Sequence, residues 1–197
     1  MTFFDRTTRV EMAGNALTEY PDGVPTHVAV FAMALVDARC LGEGLELQCA
    51  ITDGRCCEFG ADLIRLESLD GFAAFRRWLA FWAAEYAHYA GAALIRLDLV
   101  HGRGPTCPRF HVDNVRLRLI STLIGPGTEW LYPEDVQYDS NERIQQAVSP
   151  AAIQRMQTGS VGLFPGSLGG ASPYRGVVHR SPLTDVDRVV LKMDTIA

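Results

Sequence analysis

His111, Asp113 and His179 are the residues of this chain whose types and spacing suit metal chemistry. A His-x-Asp pair followed far downstream by a second His is the ligand set of a 2-His-1-carboxylate site. Such a site holds one face of an octahedral ion and leaves the other open. Arg188 follows His179 at a spacing that lets it face the same site, and Cys107 lies just upstream of His111. A Cys107 thiolate swung toward the ion would favour zinc over iron(II). Taken singly each residue is ordinary. A His-x-Asp pair also suits a surface hydrogen bond, and Arg188 also suits a salt bridge with Asp185 or Asp187.

The elements that must position these residues can be read from the pattern around them. Phe110 to Leu123 (FHVDNVRLRLISTL) is predicted as one strand. Alternation puts His111, Asp113, Val115, Leu117, Leu119 and Ser121 on one face, and Val112, Asn114, Arg116, Arg118 and Ile120 on the other. Residues i and i+2 are about 6.5–7 Å apart on a strand, so two arms can converge on one ion. Tyr174 to Pro182 (YRGVVHRSP) is read as a second short strand that ends in His179 and supplies the third ligand. The order, His-x-Asp before the distal His, is that of double-stranded β-helix oxygenases.

Two blocks carry a resemblance. CPRFHVDNVRLRLISTLIGPGTEWL (Cys107 to Leu131) and GVVHRSP (Gly176 to Pro182) resemble the bacterial proteins of domain-of-unknown-function family 1826. The similarity runs from about residue 25 to the end. Members are often encoded near zinc-responsive genes and GTP-hydrolysing metal chaperones, so the resemblance implies a link to metal supply. More distantly, the same blocks are similar to iron/2-oxoglutarate oxygenases. That likeness implies that His111, Asp113 and His179 hold iron(II). It implies that Arg188, with Lys192 in reserve, pairs with the far carboxylate of 2-oxoglutarate. The implied reaction is hydroxylation of a small-molecule or protein substrate that the sequence does not name. One departure is length, which leaves little room for the long substrate-binding insertions of larger oxygenases. A second implied function is a zinc-binding protein of metal homeostasis on the same fold, without turnover. A third is a scaffold that binds a partner.

The surrounding chain is ordinary for a folded domain. It has 197 residues, 48% hydrophobic and 21% charged, with a net charge of -5, enough for a substantial core. The acidic balance argues against a general nucleic-acid binder. Arg116 and Arg118 make only a small basic patch, read as a solvated strand face or an anion contact. The start, MTFFDRTTR, lacks the apolar core of a signal peptide, and the run Val28 to Val36 is too short to span a bilayer. These features predict a cytoplasmic protein with no membrane partner, whose five cysteines stay as thiols. Cys56-Cys57 suits small packed residues, with soft-metal transfer as the sharper alternative.

Residues 1–24 are read as an extended lead-in and 25–197 as one metal-binding domain. His27 to Val36 is an apolar strand or strand-to-helix passage, Leu41 to Ile51 is helix or strand, and 52–60 is a loop. The clearest helix is Phe72 to Ala90, capped by Ser68 or Asp70 and closed by Gly91, with Phe72, Phe75, Trp78, Leu79, Trp82 and Tyr86 on one apolar face. Ala93 to Val100 alternates as a strand, with Ile95, Leu97 and Leu99 on one side. His101 to Pro105 is a loop from which His101 could approach the site. Gly125 to Thr128 is a tight turn leading to a return at Glu129. Residues 133–158 are expected as two helices, the second capped by Ser149 with Pro150 first. Val161 to Phe164 and Val189 to Met193 are strands. Gly166 to Gly170 is a Gly/Ser loop that lacks the P-loop ending and so has no nucleotide role. Ser181, Thr128 and Asn114 are candidates to orient ligands, and Glu129 is a candidate acid or base, the alternative being a solvated turn carboxylate. The sum is an α+β protein, a double-stranded β-helix (jelly-roll, cupin-like) barrel with flanking helices.

Overall fold

A computed structural model describes residues 17–20, 23–38, 44–52, 55–59, 61–169 and 176–196, with the side chains of 55–58, 61 and 62 excepted. In chain order the elements are β1 (Thr18–Tyr20), α1 (Thr26–Asp37), β2 (Leu45–Thr52), β3 (Arg55–Phe59), α2 (Ala61–Ile64), α3 (Phe72–Ala90), β4 (Leu94–Arg103), β5 (Leu117–Ile124), β6 (Glu129–Leu131), β7 (Ile153–Arg155), β8 (Val161–Pro165), β9 (His179–Arg180) and β10 (Asp187–Thr195). A seven-stranded sheet runs β1-β8-β5-β10-β4-β2-β3, and a three-stranded sheet runs β7-β6-β9. Every pairing is antiparallel. The fold is a double-stranded β-helix with helices against the outer face of its large sheet.

Alternation along the long strands decides the two faces. Leu45 and Leu47 of β2, Ile95, Leu97 and Leu99 of β4, Leu117 and Leu119 of β5, and Val189, Leu191 and Met193 of β10 all join one buried cluster with α1 and α3. The α3 stripe supplies Phe75, Trp78, Leu79, Trp82 and Tyr86 to it. Both tryptophan Nε1–H groups donate to the Gly23 carbonyl, so the rings are buried without an orphaned donor. On the opposite face Ile120, Phe164 and Val190 pack with Met156 and Val177, under the small sheet.

Several expectations are corrected. The helix α3 has the forecast bounds, but its N-cap is Gly71, with no side-chain cap from Ser68 or Asp70. Residues 52–60 contain β3, and His101 to Arg103 still belong to β4. The lead-in ends in β1, which pairs with β8; residues 1–16 lie outside the described residues. The two helices expected over 133–158 are only the short turns Pro133–Asp135 and Pro150–Ala152, with strand β7 after the second. Asp139 shows why. Its Oδ1 accepts the N–H groups of Asn141 and Arg143, a local alternative to helical hydrogen bonding. Cys49 is disulfide-bonded, against five free thiols; the side chains of Cys56 and Cys57 lie outside the described residues.

The correction that matters most concerns the strand expected over Phe110 to Leu123. It starts only at Leu117. Residues 113–116 are drawn off by the Gly/Ser loop: Ser167 N–H donates to Asp113 O, Leu168 N–H to Val115 O, and Gly166 N–H to Arg116 O. A Cβ on Gly166 would collide with the carbonyls of Asp113 and Val115, so only glycine permits this approach. The detour shifts the phase. Leu117 and Leu119 face the helices, whereas Arg118 and Ile120 face the same cavity as His111 and Asp113.

Candidate metal centre

The two histidines meet through their backbones. His111 and His179 form an antiparallel bridge, each N–H donating to the other's carbonyl at 3.0 and 2.9 Å. Directly opposed residues put their side chains on one face, and the ring centroids are 4.6 Å apart. The bridge extends the small sheet, since His179 also opposes Trp130 of β6. The predicted Tyr174 to Pro182 strand is therefore shorter and begins, rather than ends, at His179; residues 170–175 lie outside the described residues.

Asp113 completes the group. One ligand atom from each of His111, Asp113 and His179 lies within 4.8 Å of the other two. His111 Nε2 is 3.5 Å from Asp113 Oδ1, and His179 Nε2 is 3.2 Å from Oδ2. Each Nδ1 lies on a carbonyl, that of Arg109 at 2.9 Å and of Val177 at 3.0 Å. A carbonyl can only accept, so the proton sits on Nδ1 and the Nε2 lone pairs turn inward. Two lone pairs and a carboxylate thus face one another in a half-closed site. Something positive belongs between them.

The electrostatics agree. Burial pushes the Asp113 carboxyl up, but the close imidazoles of His111 and His179 and the charge of Arg118 outweigh it, and its pKa falls well below the usual carboxylate range. The hydrogen bond to Asp113 raises the His111 pKa, against the effect of burial. Asp113 Oδ2 is buried without a hydrogen-bond partner: the His179 nitrogen is close, but out of line for a hydrogen bond. An orphaned carboxylate oxygen beside two inward lone pairs fits a divalent cation with N,N,O ligation.

The cavity beside this group is cationic. Arg118, Arg180, Arg188 and Lys192 line it, with the hydroxyls of Thr106, Thr128 and Ser181. Arg188 is only 4% exposed. Its Nε donates to Pro126 O at 2.8 Å and an NH2 group to Thr122 Oγ1 at 3.4 Å. Gly125 (φ +81) makes this seat, since a Cβ there would strike Asp187 O and Arg188 Cγ. The surface salt bridge weighed for Arg188 does not form. Asp187 pairs with His101 at 3.1 Å, and the Asp185 carbonyl takes Arg103. Burial lowers the Arg188 pKa, partly offset by the charge of Glu129, and no carboxylate forms an ion pair with it among the described residues.

The remaining candidates separate. Cys107 is exposed and lines the cavity but is outside the ligand group. Ser181 sits at the rim, its Oγ sharing a 3.0 Å hydrogen bond with Thr106 and accepting from Cys107 N–H. Thr128 is buried in the wall. Asn114 faces away and accepts from Ser167 Oγ. Glu129 is buried, not solvated; Arg180 Nε bonds it at 2.7 Å and Arg155 grips its other oxygen, so it anchors Arg180. His101 stays with Asp187 outside the cavity. Sequence reasoning missed Arg180 and Asp194, and of the two alternatives weighed for Arg118 the anion contact forms, to Asp113 and Asp194. The one available signal was a charge isolated in an apolar strand, as in Leu117-Arg118-Leu119 and Met193-Asp194.

Comparison with known proteins follows the same lines. Residues 25–194 match the family described as "Protein of unknown function (DUF1826)". No curated protein matches the chain. Among solved structures, the Arabidopsis thaliana dioxygenase for auxin oxidation 1, in its complex with 2-oxoglutarate, is similar with a TM-score of 0.50 at 11% identity, over 92% of this chain and 83% of that one. The rice dioxygenase for auxin oxidation gives 0.49 at 18%, over 92% and 73%. A Pseudomonas putida prolyl-4-hydroxylase gives 0.46 at 13%, over 94% and 95%. At such identities the likeness to the Arabidopsis enzyme carries the fold alone.

Proposed function

This chain belongs to the DUF1826 family, and we propose that it is a non-haem iron(II), 2-oxoglutarate-dependent oxygenase. His111, Asp113 and His179 would hold the metal and Arg188 the far carboxylate of 2-oxoglutarate. The observation that carries this reading is the pairing of two unmet demands in one cavity. Asp113 Oδ2 is buried without a hydrogen-bond partner, and Arg188 is a buried guanidinium without a carboxylate. A cation answers the first and a dicarboxylate the second.

Bound there, the iron and oxoglutarate together would supply oxygen activation for hydroxylation of a C–H bond. The chain's own residues do the rest. Nδ1 hydrogen bonds to Arg109 O and Val177 O fix the tautomer and aim of both imidazoles. Arg188, braced by Pro126 and Thr122, presents a fixed cation to an entering carboxylate, and the fork suits two-point contact. Ile120 and Val190 give the cavity apolar walls that limit water. Cys107 stands apart from the ligand group, so the donor set is the N,N,O kind that suits iron(II).

The test is an anaerobic titration of metal-free protein with iron(II) and then 2-oxoglutarate, followed by the visible charge-transfer band. We expect a band in the parent, none in His111→Ala or Asp113→Ala, and a band needing more oxoglutarate in Arg188→Met. Stoichiometric zinc in protein purified without chelator, with no band after exchange to iron, would overturn the oxygenase reading in favour of metal handling.

A further inference from the structure

Asp113 is held by a residue outside the ligand group. Arg118 NH1 lies 2.7 Å from Asp113 Oδ1. The other edge of the same guanidinium is spent on Asp194, with Nε 2.8 Å from Oδ1 and NH2 2.6 Å from Oδ2. Asp194 is buried on β10, the strand beside β5. Arg118 thus spans two carboxylates with a rigid planar fork, one edge on its anchor and one nitrogen on the ligand.

We propose that Arg118 is a positioning residue that makes Asp113 a single-oxygen ligand. This rests on the metal reading above. NH1 occupies Oδ1, and Oδ2 is left as the buried oxygen with no hydrogen-bond partner. The sign of the effect needs deciding, because a cation beside a metal ligand also repels the metal. Asp194 offsets the guanidinium through two short contacts, though it also meets Arg96 at 3.5 Å, so the charge Arg118 brings to the site is reduced rather than cancelled. Positioning therefore outweighs repulsion. A purely structural ion pair between β5 and β10 is the competing account. It explains the two-point contact with Asp194 but not the third nitrogen on Asp113, and buried ion pairs are seldom more stabilising than apolar packing.

Cobalt(II) alone is the probe, titrated into metal-free protein and followed by its visible spectrum. Arg118→Lys keeps the charge but cannot bridge both carboxylates. Arg118→Met combined with Asp194→Asn removes the pair together, so that Asp113 is the one carboxylate to lose its partner. We expect about ten- to hundredfold weaker cobalt binding, the usual range for supporting residues, with the lysine variant milder. A changed spectrum should accompany it as Oδ1 is released toward the ion. Parental affinity and spectrum in either folded variant would overturn the proposal. His111→Ala is the separate control. Cobalt uptake that it leaves unchanged would refute the metal reading, and this proposal with it, without reference to Arg118.

Discussion

Strands β5 and β10 carry two different chemistries on their two faces. Toward the helices they present Leu117, Leu119, Val189, Leu191 and Met193, all in one apolar cluster. Toward the small sheet they present Arg118, Ile120, Arg188, Val190 and Lys192 to the cavity. The first face is held by area removed from water, which is non-directional and tolerant of detail. On the second, Arg118 is held by the carboxylates of Asp113 and Asp194, and Arg188 by the uncharged oxygens of Pro126 and Thr122, contacts whose members must meet at a few ångströms. Neighbouring residues on one strand thus answer to different constraints, and substitutions on the two faces should separate stability from binding.

Trp78→Ala should produce the largest effect, on the helix side only. The ring is 3% exposed and packs on Phe75, and its loss should cost about 3–5 kcal/mol of stability. Chemical denaturation would read the cost, and cobalt affinity measured well below the transition should be unchanged. Coupled loss of both would break the separation of the faces. His179→Ala is the mirror case. It should weaken metal binding by at least about a hundredfold, since supporting residues alone are worth roughly 10–100-fold. The fold should survive, because the bridge to His111 uses only backbone atoms.

The same comparison explains what could be read from the sequence. The helix α3, the alternation of β4 and the apolar half of β5 follow from periodicity, because burial imposes a period of 3.6 or 2 on residue type. The trio His111, Asp113 and His179 was legible from residue types. Its geometry was not. The phase of the His-x-Asp segment depends on Ser167 and Leu168 hydrogen-bonding to residues 113–116, contacts between segments about fifty residues apart in the chain. Arg118 was assigned to the wrong face for that reason. Ser149 and Pro150 suggested a helix start, whereas the stretch before them satisfies itself through Asp139 and packs Val136, Ile144 and Val148 on Phe110, Leu131 and Val178 without forming a helix. Glu129 looked like a turn carboxylate because its two arginine partners, Arg155 and Arg180, come from other strands.

Arg188→Met should sharpen the site side further by dividing metal from co-substrate. Charged hydrogen bonds are worth about 1.5–3 kcal/mol, so 2-oxoglutarate should bind roughly ten- to hundredfold more weakly while iron(II) affinity holds. Equal loss of both would show that Arg188 supports the ligand group rather than the carboxylate.

The smallest effect should be the pH response of the metal-free protein. His111 has a raised pKa, so its contribution is full below its unfolded value near 6.5 and fades as pH rises through the folded one. Asp113 has a depressed pKa, so its contribution is present above about 4 and fades only in stronger acid. Both are therefore present between about pH 4 and 6.5. Metal-free protein should be slightly more stable there than at pH 8, by less than about 1 kcal/mol because the His111 side chain is 34% exposed to water. Metal needs His111 unprotonated, so added iron(II) should reverse the order and stabilise more at pH 8. Asp113→Asn should flatten both trends. A pH response unchanged by that substitution would place the titrating group elsewhere, and thermal melts at the two pH values, with and without metal, decide it.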